Sequence, residues 1–219
     1  PVNFFGFPRR FQIFIIKRGF SIWENIHMRF VYGNRERVFV NTALGCNAKC
    51  KYCSTGRANR NGEFIEKKYM SFDFFQKIYN FWSSNEIIIP DTEIMLFNWG
   101  EPLLNPDYNK IIEFLADKHQ CYSVSTNASV VKYVEQKNAY EKCRSFVISM
   151  PGFSQQSYNR IHRFDFEKIK VNIKELVKEI KGKGFRGKPF IAYHVYQFNK
   201  NEITLADDFA KSIGAELHP

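Results

Sequence analysis

No run of about eighteen apolar residues occurs in the sequence, so we expect no helix that crosses a membrane. Cysteine is scarce: there are five, an odd number with three in one short stretch, which argues against a disulfide framework. The first 37 residues lack the long apolar core and the cleavage site of a signal peptide. No nucleic-acid-binding module is recognisable either, so we expect no nucleic-acid partner. Free thiols suit a reducing compartment, and we expect a cytoplasmic protein.

The 219 residues carry enough apolar side chains for one globular core, since 44% are hydrophobic and 23 are phenylalanine. The formal net charge of +10 favours anionic partners in general without selecting one. Basic and aromatic residues are concentrated over 1–37. We predict that this segment is an N-terminal extension that packs across the main domain, which covers 38–219. An arm that contacts a membrane surface or an acidic partner is the alternative.

From residue 38 onward, short apolar runs alternate with segments whose apolar residues have helical spacing. Strands are predicted at 38–43, 92–98, 121–126, 145–150 and 190–196, with the start of a sixth at 215–217. Helices are predicted after Ser71 and Asn105, at 129–137, after Asp165 and at 202–213, with a loop over 54–70. We therefore predict an α/β fold, a partial (β/α)6 barrel: a curled parallel sheet with outer helices, about five βα units and the start of a sixth strand.

Three cysteines directly follow the first predicted strand. Cys46, Cys50 and Cys53 are spaced C-x3-C-x2-C, so one tight turn can place three thiolates around a soft metal centre. On a four-iron cluster this set leaves one iron open, whereas a structural zinc site normally has four protein ligands. Two alternatives remain at this point: a zinc-stabilised binding domain whose site is completed by a distant histidine, Cys121 or Cys143, and a ferredoxin-like electron-transfer protein.

The active site of such a fold gathers at the carboxyl ends of the strands, where further candidate residues lie. The second strand is followed by Asn98-Trp99-Gly100-Glu101-Pro102, and the third ends in Ser125-Thr126-Asn127-Ala128. Asn127 is suited either to capping the following turn or to binding a cofactor. On the fifth strand, alternation sends Tyr193 to one face and His194 to the other, and the inward set can line a pocket.

The cysteine spacing, with Tyr52 before the last cysteine, resembles the signature of the radical S-adenosylmethionine (SAM) enzymes. Trp99-Gly100-Glu101-Pro102 resembles the Gly-Gly-Glu-Pro motif of that family, which binds the amino group of SAM, although Trp99 replaces the first glycine. Asn127 is similarly placed to the asparagine of a Thr-Asn-Gly motif. The resemblance extends over about residues 38 to 217.

The end of the fourth strand, Ser149-Met150-Pro151-Gly152, resembles a Ser-x-Asp-Gly motif. That motif occurs in the branch of this family that often carries a C-terminal SPASM or twitch domain. By that resemblance Ser149 binds the ribose of SAM and Arg163 holds its carboxylate. Tyr193 is a candidate for the adenine or substrate pocket from strand alternation alone, with interior packing as the alternative. Two departures stand out: Pro151 replaces an aspartate, and His162 occupies the usual arginine position.

The resemblance implies an enzyme with a [4Fe-4S] cluster and SAM as cofactors. The reduced cluster would cleave SAM to a 5′-deoxyadenosyl radical that abstracts hydrogen from a substrate, which we expect to be a peptide or small metabolite. An electron donor such as flavodoxin or ferredoxin is implied. We also expect the core domain to be truncated at its C-terminal end, with a possible auxiliary domain absent from this chain.

Overall fold

The structure is a computed structural model that describes residues 37–63 and 67–219, together with the backbone of three short strands before them. Those three are β1 (Ile13–Lys17), β2 (Phe20–Glu24) and β3 (Gly33–Asn34). β1 and β2 form an antiparallel pair, and β3 pairs antiparallel with the next strand. The predicted packing of the basic N-terminal extension lies outside the described residues.

The remaining strands form one large sheet and one short, two-stranded antiparallel pair. They are β4 (Arg37–Phe39), β5 (Ala43–Leu44), β6 (Lys68–Tyr69), β7 (Glu93–Met95), β8 (Tyr122–Thr126), β9 (Cys143–Met150), β10 (Phe190–Tyr193) and β11 (Glu216–His218). The large sheet has the order β11-β10-β9-β8-β7-β4-β3. Among the described strands, the six from β4 to β11 in this sheet are parallel. The sheet is open at β11, which confirms the predicted partial barrel.

Helices connect the parallel strands and cover the sheet. They are α1 (Ser54–Asn61), α2 (Phe72–Ser84), α3 (Tyr108–Asp117), α4 (Gln155–Arg160), α5 (Phe166–Gly182) and α6 (Ile203–Ser212), with 3₁₀ turns at Pro102–Leu104 and Lys200–Glu202. The apolar stripes of α2 and α5 are buried against the strands, as their spacing predicts. Ser71 caps α2 by accepting a hydrogen bond from Phe74 N, and Asp165 caps α5 by accepting one from Lys168 N.

The structure corrects two local predictions. Residues 54–61 form α1 where a loop was predicted, because this helix is polar and has no apolar stripe to announce it. Residues 129–137 are irregular where a helix was predicted. Side chains of neighbouring helices satisfy the backbone of that stretch instead: Glu179 accepts from Val134 N, and Asn109 donates to the carbonyl of Tyr133.

The first predicted strand, 38–43, is also divided. β4 ends at Phe39, after which the chain leaves the sheet and pairs through β5 with β6. Asn105, predicted to cap the next helix, accepts a hydrogen bond from Asp107 N (2.8 Å) just before α3. It is also fully buried and donates to the carbonyl oxygens of Thr42 (2.8 Å) and Met70 (2.9 Å). It ties the connection after β7 to the segments that flank β5 and β6, and so fixes the base of the cysteine loop.

The end of α5 offers a matched pair of glycine substitutions. Gly182 is helical, and a Cβ there meets nothing within 4 Å, whereas Gly184 has a φ of +94°. We expect Gly182→Ala to raise the free energy of unfolding by about 0.5 kcal/mol and Gly184→Ala to lower it by roughly 1–2 kcal/mol. Urea denaturation measures both, and equal effects of the same sign would contradict the described end of the helix.

Candidate active site

The cysteine loop lies between β5 and α1 and is held from outside by polar side chains of α1. Asn59 Nδ2 donates to the carbonyl oxygens of Cys46 (2.7 Å) and Ala48 (2.9 Å). Arg60 donates to Lys49 O through Nε (2.9 Å) and Nη2 (2.7 Å). Because these carbonyls are committed to α1, the loop keeps a fixed shape without its own secondary structure.

The start of α1 packs directly on the backbone of the loop. A Cβ at Gly56 would lie 2.5 Å from Cys50 N and 2.4 Å from Cys50 O, so only glycine fits there without displacing the loop. Arg60 Nη2 also donates to the carbonyl oxygen of Arg160 (2.9 Å), and Lys49 N donates to His162 O (3.1 Å). The loop is therefore joined to the connection that follows β9.

The three thiols of the loop differ in exposure but share an environment of low polarity. Cys50 is buried, and Cys46 and Cys53 are half-buried. Burial, together with the negative charge of Glu101, raises the pKa of Cys46 to about 12, and burial raises the pKa of Cys50 to about 11. The thiols of Cys46 and Cys50 therefore need a bound cation to become thiolates at neutral pH, as metal ligands do.

The donor set of the loop fits an iron-sulfur cluster better than a single ion. Within the described ranges, no group of three or more His, Cys, Asp or Glu is arranged to hold one metal ion. Thiolates of a cluster bind different irons, so they need not converge on one point. Cys121 and Cys143 lie at the amino ends of β8 and β9, away from the carboxyl ends where the loop sits.

The turn after β7 is pressed against the strand that leads into the loop. A Cβ at Gly100 would lie 1.7 Å from Ala43 O, so the two backbones are in direct contact. Glu101 N donates to Gly45 O at 2.9 Å, one residue before the first cysteine. Trp99 is 45% exposed, and its carbonyl accepts a hydrogen bond from Thr55 in α1. Pro102 is buried and begins the 3₁₀ turn.

The carboxylate of Glu101 joins the ends of β7 and β8. It is 3% exposed and accepts hydrogen bonds from Thr126 Oγ1 (2.7 Å), Asn127 N (2.7 Å) and Leu103 N (3.1 Å). Burial raises the pKa of Glu101 to about 7, although these hydrogen bonds lower it. A carboxylate has about four acceptor positions, so one remains for a further donor.

Asn127 brings the end of β8 to the cysteine loop. Its side chain donates to Cys46 Sγ at 3.3 Å and to Asn47 Oδ1 at 3.1 Å. Its own Oδ1 accepts from Ser129 N at 2.9 Å, which is the capping role that the sequence left open, while a role in binding a cofactor stays a prediction. The motifs after three successive strands thus meet at one cysteine.

The other predicted residues lie at different depths. Ser149 is half-buried on β9, opposite Ala192 of β10 in the sheet register. Arg163 is exposed with a φ of +61°, and its positive charge lowers the pKa of the neighbouring Arg60 guanidinium, second to the effect of desolvation. Tyr193 is buried in the main core and donates through its hydroxyl to Asn199 O (2.9 Å), so the structure does not bring it to the loop.

The residues that reach the loop come from the segment directly after β10. The ring of Tyr52, which is 52% exposed, lies 5.6 Å from the ring of His194. Tyr196 packs against a small apolar cluster of Ala48, Cys50 and Ile161. Alternation predicts two sets on this strand but not which set faces inward.

Sequence reasoning also missed the residues of α1 that shape the loop. Asn59 and Arg60 carry the contacts described above, and Gly56 supplies the close approach. The signal available in the sequence was a short polar stretch directly after the third cysteine, with no apolar residue to bury. Such a stretch indicates side chains that serve neighbouring backbone rather than a core.

His162 is a neutral core residue. It is 2% exposed, and its ring lies 5.8 Å from that of Tyr158 and 5.6 Å from that of Phe164. Its Nδ1 has no hydrogen-bond partner among the described residues. Burial, with a smaller effect of His194, lowers the pKa of His162 to about 3. The side chain is therefore unsuited to bind a carboxylate by charge.

This burial predicts a pH-dependent effect of His162→Phe, which keeps a ring in the packing. The folded pKa lies below the ordinary 6.5, so the wild-type protein loses stability as the pH falls below about 6.5, and the variant lacks that loss. We expect the stability difference between variant and wild type to be about 2 kcal/mol more favourable to the variant at pH 5 than at pH 7.5. Urea denaturation of the cluster-free protein measures it. The same difference at both pH values would show that His162 titrates normally when folded.

In the part of the chain that the structure describes, no helix combines the length and apolar character needed to span a membrane.

Comparison with known proteins decides the family. Residues 40–209 match the radical SAM superfamily. The chain belongs to that superfamily. Radical SAM proteins use a [4Fe-4S] cluster and SAM, which are therefore the cofactors expected of this chain.

Several known proteins resemble this radical SAM chain. The probable dual-specificity RNA methyltransferase RlmN of Malacoplasma penetrans is 31% identical over 96 residues, which are 42% of this chain and 24% of that protein. The structure of Streptococcus suis SuiB bound to S-adenosylmethionine has a TM-score of 0.58 at 14% identity, covering 82% of this chain and 38% of SuiB. Archaeal TYW1 has a TM-score of 0.51 at 12% identity, covering 82% and 62%. The two structures share the fold, and the chain spans less than two thirds of each of the three proteins.

Proposed function

We propose that this radical SAM chain is a catalytic core that binds a [4Fe-4S] cluster through Cys46, Cys50 and Cys53 and binds SAM at the open iron. When bound, these cofactors supply a 5′-deoxyadenosyl radical that abstracts hydrogen from a substrate. The observation that carries the proposal is the convergence of three separate strand ends on one cysteine. Asn127 and Glu101 both lie beside Cys46, although they are far from it in sequence.

In this proposal the described residues bind and orient SAM. Glu101 offers its remaining acceptor position to the ammonium group of SAM. The backbone carbonyls around Gly100, next to Glu101 in the same turn, are further acceptors for that group. Ser149 binds the ribose, and Arg163 binds the carboxylate. The exposed ring of Tyr52 provides an apolar face beside the loop, with His194 next to it.

The rival functions explain fewer of these features. A structural zinc site needs a fourth ligand. Cys121 and Cys143 lie at the other ends of their strands, and no described histidine forms a metal-binding group with the loop cysteines. A ferredoxin-like carrier holds its cluster with four cysteines and leaves the buried carboxylate of Glu101 without a role. The open ligand set and the buried acceptor beside it together favour SAM binding.

We propose a peptide or small metabolite as the substrate and a flavodoxin or ferredoxin as the electron donor in the cytoplasm. A structure of SuiB with the same fold contains its precursor peptide SuiA, which supports the peptide class. The methyltransferase likeness makes RNA the competing substrate, though the match covers only 42% of this chain. Deuterium transfer from a labelled candidate into 5′-deoxyadenosine identifies the substrate, and transfer from RNA alone would overturn the peptide or metabolite class.

The cysteine assignment predicts that alanine at Cys46, Cys50 or Cys53 abolishes the cluster, because each removes a ligand that the loop cannot replace. Cys121→Ala is the matched control and leaves the cluster in place, since Cys121 lies at the opposite end of the sheet. Iron and sulfide content with low-temperature electron paramagnetic resonance (EPR) measures the outcome. Full occupancy in all three loop variants would disprove the assignment.

The role of Glu101 predicts weaker SAM binding in Glu101→Gln, which removes the charge that attracts the ammonium. A charge-assisted hydrogen bond is worth about 1.5–3 kcal/mol, so we expect roughly ten- to a hundred-fold lower affinity. Titration of the reduced, cluster-loaded protein with SAM measures it, and the iron content serves as the control. An intact cluster with unchanged affinity would exclude Glu101 from the SAM site.

A further inference from the structure

The amide of Asn127 has only one orientation that satisfies its neighbours. Its Oδ1 accepts the backbone N–H of Ser129 at 2.9 Å, so its Nδ2 faces Cys46 Sγ at 3.3 Å and Asn47 Oδ1 at 3.1 Å. A flipped amide would place an oxygen against the Asn47 oxygen and the Cys46 sulfur, and would turn the NH₂ group toward another donor. Both amide protons are therefore assigned, one of them to a sulfur.

The position of Asn127 is as fixed as its orientation. The side chain is 6% exposed, and its backbone N–H donates to Glu101 Oε2 at 2.7 Å. Glu101 is in turn anchored by Thr126 Oγ1 and Leu103 N. Water has little access to the sulfur on this side, so the N–H···S contact is not exchanged for a hydrogen bond to solvent.

A hydrogen bond to a ligand sulfur stabilises negative charge on the cluster that the sulfur holds. Because a reduced cluster carries one more negative charge than an oxidised one, such a bond favours the reduced form and raises the reduction potential. The buried carboxylate of Glu101 acts on the same sulfur with the opposite sign. Asn127 contacts both groups and is the side-chain donor that offsets the carboxylate at Cys46.

We propose that Asn127 is a positioning residue that raises the reduction potential of the cluster through its hydrogen bond to Cys46, rather than a ligand of SAM alone. This inference rests on the proposed cluster at the cysteine loop. It assigns a redox role to the end of β8 and makes the cluster easier to reduce for an electron donor.

The test is a potentiometric titration of the anaerobically loaded protein without SAM, followed by EPR. Asn127→Leu removes the donor at similar size, and Asn127→Asp keeps the shape but replaces the donor by an acceptor. We expect the potential to become more negative in both, by a three- to tenfold shift of the redox equilibrium for Leu, or roughly 30–60 mV for one electron. Asp shifts it further. Cys121→Ala is the control, because Cys121 directly precedes β8 at the end far from the loop, and it keeps the wild-type potential.

A second measurement on the wild-type protein does not depend on the stability of a variant. Pulsed EPR of protein labelled with ¹⁵N in asparagine side chains should show a coupling between the cluster and one amide nitrogen. Loss of that coupling in Asn127→Leu assigns it to Asn127, and a more negative potential in the same variant supports the inference. Unchanged potentials in variants with an occupied cluster overturn it, whether or not the coupling is present. Absence of a cluster from the wild-type protein overturns the proposed function instead.

Discussion

The contact between two backbones, at Gly100 and Ala43, is the constraint on which the candidate site depends. A Cβ at Gly100 would lie 1.7 Å from Ala43 O, so the turn after β7 and the strand that leads to the cysteines touch without a side chain between them. This approach lets Glu101 N bond to Gly45 O at 2.9 Å. The Glu101 carboxylate is then aimed at the end of β8, where Asn127 completes the link to Cys46.

The cysteine loop is held between this inner network and an outer one. On the outside, Asn59 and Arg60 of α1 bind the carbonyl oxygens of the loop, and Arg60 continues to the carbonyl of Arg160. The thiols are thereby kept in a region of low polarity, which raises the pKa values of Cys46 and Cys50. Such a site favours a bound group that brings positive charge, and the iron of a cluster does so. The two networks hold the loop in one conformation, and a cofactor bound to the loop is thereby held in a fixed position.

The sequence predicts those parts of the fold and site that carry a local signal. The stripes of α2 and α5 and the caps at Ser71 and Asp165 follow from periodicity and side-chain chemistry, and they are as predicted. The polar helix α1 has no apolar stripe, so its position could not be predicted from periodicity. Its side chains instead make hydrogen bonds to the backbone of the cysteine loop.

In the site, the motifs mark Cys46, Glu101 and Asn127, but their convergence depends on sheet order and register. For β10, period-two alternation leaves the choice of face undetermined, and Tyr193 lies on the core side.

The central claim is that the cysteine loop holds a cluster with one iron open to SAM. EPR of the reduced protein before and after addition of SAM tests it most directly. We predict a [4Fe-4S] signal whose shape changes when SAM binds. A cluster signal that SAM leaves unchanged, or a purified protein that holds zinc and no iron, would contradict the account.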